Sequence, residues 1–389
     1  MKSNRIFFIC IILFSLGYVG TKFLPTPAHA IPKSAVFTGE YPDAVGARCS
    51  DVDYANKSTT IKVVDGSNMF ADPNPNGPTL VNIELYVNEI TEVDEGANSF
   101  RVQGFLDLIW CDPRLAFNAD IQGTKVEIFL EDDAHEKLNN IWWPNLEFVN
   151  ENEPVSVENL TLLVHPDGTV EYRSKISGQL ASDFDLHAFP FDKQELFVEI
   201  QSFEWAGDTM EFLNQGNGVI GFSDEFRIPE WYVTGINEKV ESKKEPRDHS
   251  EFSQLAATIH VQRDPGVYTT KVMIPLGVII LITMIIFWMD QNAFEDRLGA
   301  SMTGLLTAVA YQFIASQNLP KHVYNTYLDS YVFLSFIIIL FGIGESAIAK
   351  WLYDHEKPEQ AAQLDRTSRW FMPLLYIAMI IVLYLIYTR

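Results

Sequence analysis

The chain has 389 residues, which is enough for two domains, and a formal net charge of −23. Such an acidic balance disfavours nucleic acid as a partner and suits an exterior that attracts cations. The sequence shows no recognisable set of metal ligands, phosphate-binding glycines or nucleophile with a base. We therefore expect a protein that is not an enzyme and uses no cofactor or metal.

Residues 1–30 are typical of a secretory signal peptide. Basic residues precede an apolar run at 6–19, and Ala-His-Ala at 28–30 offers a cleavage site. A retained anchor helix is the alternative. Export brings Cys49 and Cys111 into an oxidising compartment, where they can pair. Nothing in the sequence sets the distance between these two cysteines.

Residues 31–77 are rich in Asp, Asn, Pro and Gly, and we interpret them as an extension and linker with little regular structure. Residues 78–267 then alternate apolar and polar side chains in many short segments separated by turn residues. Short strands without long helical patterns predict an all-β sandwich of immunoglobulin-like type.

Two aromatic residues lie on the polar side of their predicted strands. Phe105 is one, on a strand whose apolar side includes Trp110, and Phe203 is the other, on a later strand. An exposed aromatic side chain indicates contact with a ligand or another subunit, although a single one also occurs without a function.

The loop Phe189-Pro190-Phe191 is too apolar for an ordinary exposed loop. It needs another surface to cover it, such as a membrane domain. The next residue, Asp192, can then meet a cation, and Arg263 at the end of the last strand is the candidate partner. The alternative is an arginine that reaches the lipid headgroups from the surface.

Residues 268–389 contain four apolar segments, each long enough to cross a bilayer. They cover residues 268–289, 297–315, 327–349 and 370–387. Lys and Arg are more frequent in the linker 350–369 than in the loop 316–326, which places that linker in the cytoplasm by the positive-inside rule. We predict an all-α four-helix transmembrane bundle that follows an extracellular or periplasmic domain.

The second of these segments carries a polar stripe. Six residues share one arc of the helix: Glu295, Gly299, Thr303, Leu306, Ala310 and Phe313. Lipid rejects the polar end of this arc, whereas a water-filled path accepts it. We interpret the helix as pore-lining, with close packing of small residues as the alternative. One helix cannot enclose a pore, so this interpretation demands a ring of subunits.

The two ends of the arc predict different tasks. Glu295 and Asp296 lie at the cytoplasmic end, where a ring of acids concentrates cations and repels anions. Both acids also favour a helix N-terminus, and the two interpretations are compatible. Leu306, Ala310 and Phe313 form an apolar outer half that can stop ions by dewetting.

These motifs in combination resemble those of the pentameric ligand-gated ion channels, the Cys-loop receptor superfamily, and most closely its bacterial members. The resemblance begins near residue 80 and continues to residue 389. It rests on the order and spacing of Trp110-x-Asp112, Trp142-x-Pro144, Phe189-Pro190-Phe191-Asp192, Arg263, Pro275, the polar-striped helix and Asn318-Leu319-Pro320.

The resemblance implies a ring-shaped homopentamer whose cation-selective pore opens when a small-molecule agonist binds between adjacent sandwiches. The matching ligand-binding positions are Phe105 from one subunit and Asn150, Phe203 and Phe252 from its neighbour. The channel then lies in the cell inner membrane, in contact with lipid, and passes monovalent cations. A proton-gated cation channel of the same fold and a non-conducting membrane-anchored sensor are the alternatives.

The resemblance also implies a cluster that couples agonist binding to the pore. Its members are Glu95, Asp192, Arg263 and Pro320. The positions of the two cysteines that name the superfamily are Ser182 and Leu196, so the signature disulfide cannot form, as in the bacterial members.

Overall fold

The computed structural model describes residues 47–50, 69–74, 76–213, 219–223, 226–245, 249–316 and 324–388. The structure divides into a sandwich unit, His29–Phe184 with Gln194–Val261, and a helical unit, Asp185–Lys193 with Gln262–Arg389. The segment Asp185–Lys193, which the sequence pattern placed in the sandwich, clusters with the helices. The predicted signal peptide and Pro320 lie outside the described residues.

The described part of the sandwich unit is built from strands in two sheets. The strands are β1 (Thr79–Asp94), β2 (Ser99–Cys111), β3 (Glu127–Leu130), β4 (Leu146–Phe148), β5 (Ser156–Val164), β6 (Thr169–Ala181), β7 (Lys193–Ser202), β8 (Met210–Phe212), β9 (Ile220–Phe222), β10 (Trp231–Lys244) and β11 (Glu251–Arg263). One sheet has the order β3-β5-β6-β2-β1-β8, with β9 also paired to β1, and the other has the order β10-β11-β7-β4. The predicted all-β sandwich is confirmed.

Side-chain alternation along β1 and β2 separates a core face from an outer face. Ile83 and Leu108 are register partners on the core face, and each is 1% exposed. Complete burial of each such side chain stabilises the fold by about 1.5–3 kcal/mol. Tyr86 pairs with Phe105 on the outer face, which therefore carries the aromatic residue that the sequence singled out.

Parts of the predicted extension are packed onto the sandwich. Cys49 and Cys111 form a disulfide with their Cα atoms 4.9 Å apart, which answers the question that the sequence left open. The amide of Cys49 also donates to Oγ1 of Thr169 at 3.0 Å. Farther along, the amide of Trp142 donates to the carbonyl of Met69 at 2.7 Å. These contacts fix two pieces of residues 31–77 to the folded unit.

A 3₁₀ turn, Pro113–Leu115, and six longer helices complete the described residues. Two short ones lie in the sandwich unit, α1 (Ala119–Gln122) and α2 (Glu131–Leu138). The helical unit holds α3 (Gly266–Trp288), α4 (Phe294–Ser316), α5 (Tyr327–Asp354) and α6 (Pro358–Tyr387). Within the described residues, α3, α5 and α6 are long and apolar enough to cross a membrane. The more polar α4 is the helix that carries the predicted stripe, and its place as a fourth span stays a prediction.

Helix α3 changes its geometry along its length. It is π-helical over Thr269–Met273, α-helical over Ile274–Thr283 and 3₁₀-helical over Met284–Trp288. The π-helical turn ends just before Pro275, a residue that lacks the amide hydrogen of a regular helix.

Candidate functional site

Within the described residues, the predicted pore arc of α4 lies on an exposed side of the helix. All six of its residues are exposed, including Leu306 at 71% and Phe313 at 70%. Asp296, the second predicted selectivity residue, is exposed as well. Large apolar side chains in this state indicate a face that another surface or a lumen must occupy in the assembled protein.

The opposite side of α4 packs against its own subunit. Arg297, Ser301 and Ala308 are each 0% exposed. Gly304 lies so close to α3 that a Cβ atom at this position would come within 2.2 Å of Oγ1 of Thr283. Close packing therefore uses a set of small residues different from those of the predicted arc, which removes the main reason to interpret the arc as a packing surface.

A buried ion pair that the sequence analysis missed holds the first turn of α4. Arg297 donates to both carboxylate oxygens of Asp365 on α6, at 3.0 and 2.7 Å. It also donates to the carbonyls of Met289 and Asp290, at 2.5 and 3.2 Å. Glu345 of α5 lies 3.8 Å away from Nη1 of Arg297. The sequence offered one signal for this pair: Arg297 begins one predicted span, and Asp365 precedes another.

The structure joins Asp192 and Arg263 as the sequence proposed. Arg263 donates to the two oxygens of Asp192 at 2.8 and 3.1 Å, and both side chains are 1% exposed. The guanidinium also lies over the Phe189 ring, 4.8 Å from its centroid. A bidentate pair under an aromatic cover has low access to water, so its attraction is screened little.

The apolar loop of residues 189–191 packs against α3 and α5 within the helical unit. Phe189 contacts the Tyr268 ring with centroids 4.7 Å apart, and Phe191 contacts the Tyr327 ring at 5.4 Å. The carbonyl of His187 accepts a bond of 2.8 Å from the amide of Tyr327. Glu95, the third described member of the predicted coupling cluster, lies half-buried in the β1–β2 turn of the sandwich unit.

Two of the four predicted ligand-binding residues have exposed side chains. Phe105 is 43% exposed on β2, and Phe203 is 51% exposed directly after β7. The strand alternation that singled them out thus predicted their exposure correctly. Phe105 lies in the seven-stranded sheet, whereas Phe203 follows a strand of the four-stranded sheet.

The other two predicted ligand-binding residues have structural environments. Phe252 is 3% exposed, and residues 252–255 are all buried, so both faces of β11 are covered there and its ring offers no free surface to an agonist. The amide group of Asn150 donates to the carbonyls of Ala181 and Phe197 and accepts from the amide of Glu199. In this structure Phe252 is therefore a core residue, and the side chain of Asn150 joins backbone segments. A role of either residue in ligand binding stays a prediction.

Ser182 makes hydrogen bonds at a position where the family resemblance implies that no signature disulfide forms. The hydroxyl of Ser182 donates to the carbonyl of Glu195 at 2.6 Å and accepts from the amide of Phe197 at 3.3 Å. Those residues flank Leu196, which is 0% exposed. Ser182 and Leu196 therefore stand opposite each other without a covalent link.

The outer face of the sandwich also carries a group of charges around Asp107. Its register partners are Glu84 on β1 and Arg173 on β6. Burial raises the pKa of Asp107 to about 6, helped by Glu84 and Glu171 and opposed by Arg173. Burial also raises the pKa of Glu84. Two neighbouring carboxyl groups on this face thus take up protons more readily than free ones.

The sandwich is followed in the chain by helices that are long and apolar enough to cross a membrane. Residues 58–265 match the ligand-binding domain of the neurotransmitter-gated ion channels. The chain belongs to this family, and it is accordingly a channel protein and not an enzyme.

Similar proteins come from bacteria and vertebrates. A proton-gated ion channel of Gloeobacter violaceus is 26% identical over 82% of this chain and 86% of its own length. The gamma-aminobutyric acid receptor subunit theta of Mus musculus is 26% identical over 81% of this chain, and subunit beta-4 of Gallus gallus is 23% identical over 80%. The matches span 49% and 64% of those two receptor subunits.

Proposed function

We propose that this chain forms a ring-shaped homopentamer in a cell inner membrane, with α4 of each subunit around a cation-selective pore. The observation that carries the proposal is the division of α4 into a buried face and an exposed arc that ends in Glu295. Acids around the mouth of a pore attract cations, and the ring of Leu306 side chains forms an apolar gate. A solved assembly with Leu306 against lipid would overturn this arrangement.

Ion selectivity tests the proposal directly. Replacing Glu295→Gln together with Asp296→Asn removes two charges per subunit from the mouth, so the preference for sodium over chloride should fall. The measurement is the reversal potential of agonist- or acid-evoked current in a sodium chloride gradient. Asp354→Asn is the matched control, because this exposed acid is the last residue of α5 and lies outside the arc. An unchanged reversal potential in the double variant would reject the selectivity assignment.

The proposed stimulus is a small organic agonist bound between adjacent sandwiches. The exposed rings of Phe105, in one sheet, and of Phe203, after a strand of the other sheet, suit a site completed by two neighbouring subunits. Asp192 and Arg263 would transmit the change to the helices, and the same role of Glu95 and Pro320 stays a prediction. A current screen with amino acids and amines identifies the agonist.

A proton is the second candidate stimulus. It is favoured by the carboxyl group of Asp107, whose pKa lies near 6, and by the similarity to a channel described as proton-gated. A step from about pH 8 to about pH 5 without any agonist separates the two stimuli. Current that follows the pH step and survives Phe203→Ala supports protons over an organic agonist. If the wild-type protein passes no current with either an agonist or protons, the result would support the non-conducting sensor.

A further inference from the structure

Glu345 is a buried acid of α5 that lies outside the predicted pore arc. Its side chain is 4% exposed. Within the described residues, neither of its carboxylate oxygens has a hydrogen-bond partner of ordinary geometry. An ionised carboxylate is unfavourable in this position, because burial removes it from water and supplies no donors in return.

One arginine lies beside two acids here. Arg297 donates to the two oxygens of Asp365 at 3.0 and 2.7 Å, and its Nη1 lies 3.8 Å from Glu345. The carbonyls of Met289 and Asp290 accept from the same guanidinium. These four hydrogen bonds use four of the five N–H groups of the arginine on partners other than Glu345.

Other basic residues at this end of the helical unit are bound elsewhere. Lys350 of α5 pairs with Asp354 at 2.8 Å. Arg369 of α6 donates to the carbonyl of Phe287 at 2.7 Å. Both cations therefore have partners of their own.

The remaining charged groups of the neighbouring segments do not balance Glu345 either. Asp365 excepted, the other charged side chains of residues 290–296 and 354–366 are exposed. Helix α3 contributes Lys271, which lies near its start, at the opposite end from Trp288. Two buried acids thus share one buried cation, and the buried charge is balanced when one of the acids holds a proton.

The hydrogen bonds indicate which acid holds that proton. Asp365 accepts two bonds from Arg297 and a third, of 2.7 Å, from the side-chain amide of Gln291. Such donors stabilise a carboxylate. Glu345 lacks comparable donors, and Asp365 and Ser368 are the polar groups of α6 beside it. The O–H of a protonated Glu345 would supply a donor to one of them.

We propose that Glu345 holds a proton in this arrangement and that its ionisation from the cytoplasmic side changes how α4 is held at the pore mouth. The proposal rests on the proposed channel function, because Arg297 directly follows Glu295 and Asp296 in the first turn of α4. Loss of the proton places a second negative charge beside Arg297 and draws its guanidinium away from Asp365. A rise in cytoplasmic pH therefore destabilises this arrangement and shifts the equilibrium between channel states.

Outside-out patches test the proposal, since the pipette solution sets the cytoplasmic pH while the stimulus is applied outside. The stimuli are γ-aminobutyrate at constant external pH and, separately, external protons. Raising the pipette pH from about 6 to about 9 should shift the half-activating concentration of the effective stimulus by at least about fivefold. Glu345→Gln should keep the wild-type value for about pH 6 at every pipette pH, because glutamine stays neutral. A wild type without this pH dependence, or a variant that retains it, would overturn the proposal.

Two further variants guard the interpretation. Asp354→Asn is the matched control, because this exposed acid ends the same helix, and it should keep the wild-type pH dependence. Loss of the dependence in this control would place the sensing group elsewhere. If Glu345→Gln does not reach the membrane, Asp365→Asn takes its place. With residue 365 neutral, Arg297 balances an ionised Glu345, so the pH dependence should weaken, and an undiminished dependence would contradict the proposal.

Infrared spectra of the purified protein distinguish the failure of this site from the failure of the channel function. A protonated carboxylic acid has a carbonyl stretching band that a carboxylate lacks. The difference between the wild type and Glu345→Gln should show this band at about pH 6 and lose it toward about pH 9. Its absence at about pH 6 would overturn the proposal in a channel that conducts. A wild type that shows the band and passes no current overturns the channel function and the gating role, and leaves the proton site intact.

Discussion

At the residue scale, burial destabilises the charged form of the Asp107 carboxyl group. Its pKa is about 6 in the folded chain, against an ordinary value of 3.8. The folded state therefore binds a proton more readily than the unfolded chain, and stability falls as the pH rises from about 4 to about 6. Above that range the carboxylate destabilises the fold by up to roughly 3 kcal/mol.

Asp107→Asn removes this cost, since Asn stays neutral. The variant should have a higher unfolding midpoint than the wild type at about pH 7.5 and a similar midpoint near pH 4. Thermal unfolding of the purified protein across this pH range measures the difference. Asp183→Asn serves as the control, because Asp183 is an exposed acid of the same unit. A variant that loses stability at neutral pH would show that the contact with Arg173 outweighs the burial.

Single residues also show which structural features could be predicted from the sequence. Strand alternation predicted the exposure of Phe105 and Phe203, because alternation is a local property of one strand. Phe252 was assigned through the family resemblance, and the structure buries it where both faces of β11 are covered. Whether the second face of a strand is covered depends on segments distant in the chain. The alternation within one strand carries no information about those segments. The hydrogen bond from Ser182 to the carbonyl of Glu195 is equally absent from any strand pattern.

At the element scale, helical periodicity predicted which face of α4 is exposed but not what fixes the helix. Its arc could be read from spacing alone, since 3.6 residues per turn sets which side chains align. The anchor of Arg297 to Asp365 joins positions 68 residues apart, and only the packing of α6 brings them together. The segment Asp185–Lys193 likewise belongs to the helical unit, although the residues on both sides of it in the sequence belong to the sandwich unit.

The anchor of α4 predicts an order of stabilities. Arg297→Met should cost about 3–5 kcal/mol, because it leaves two buried acids, Asp365 and Glu345, without their shared cation. Asp365→Asn should cost less, because Glu345 remains within 3.8 Å of the arginine. Thermal unfolding in detergent gives the ranking.

An exposed ion pair in the same unit provides the reference. Lys350 pairs with Asp354 at 2.8 Å, with side chains 29% and 52% exposed. Lys350→Met should therefore change stability by less than about 1 kcal/mol. If Arg297→Met were no more harmful than Lys350→Met, the buried pair would not be the anchor of α4.

At the scale of the whole molecule, the two exposed aromatics pose a question of geometry. Phe105 belongs to the seven-stranded sheet and Phe203 follows a strand of the four-stranded sheet. An agonist that needs both rings can obtain them from one subunit or from two neighbours. A closed ring with one repeated interface brings a different face from each neighbour to every junction.

Co-expression of two defective subunits distinguishes these cases. Phe105→Ala and Phe203→Ala should each lower agonist sensitivity by about tenfold when expressed alone, through loss of a ring contact. In mixed rings at equal expression, about a quarter of the junctions combine an intact Phe105 from one subunit with an intact Phe203 from its neighbour. Sensitive current should therefore reappear as a second, high-affinity component of the dose–response curve. A site within one subunit allows no such rescue, because every subunit in the mixture lacks one ring, and a curve with only the low-affinity component would show that the agonist does not bind between neighbours.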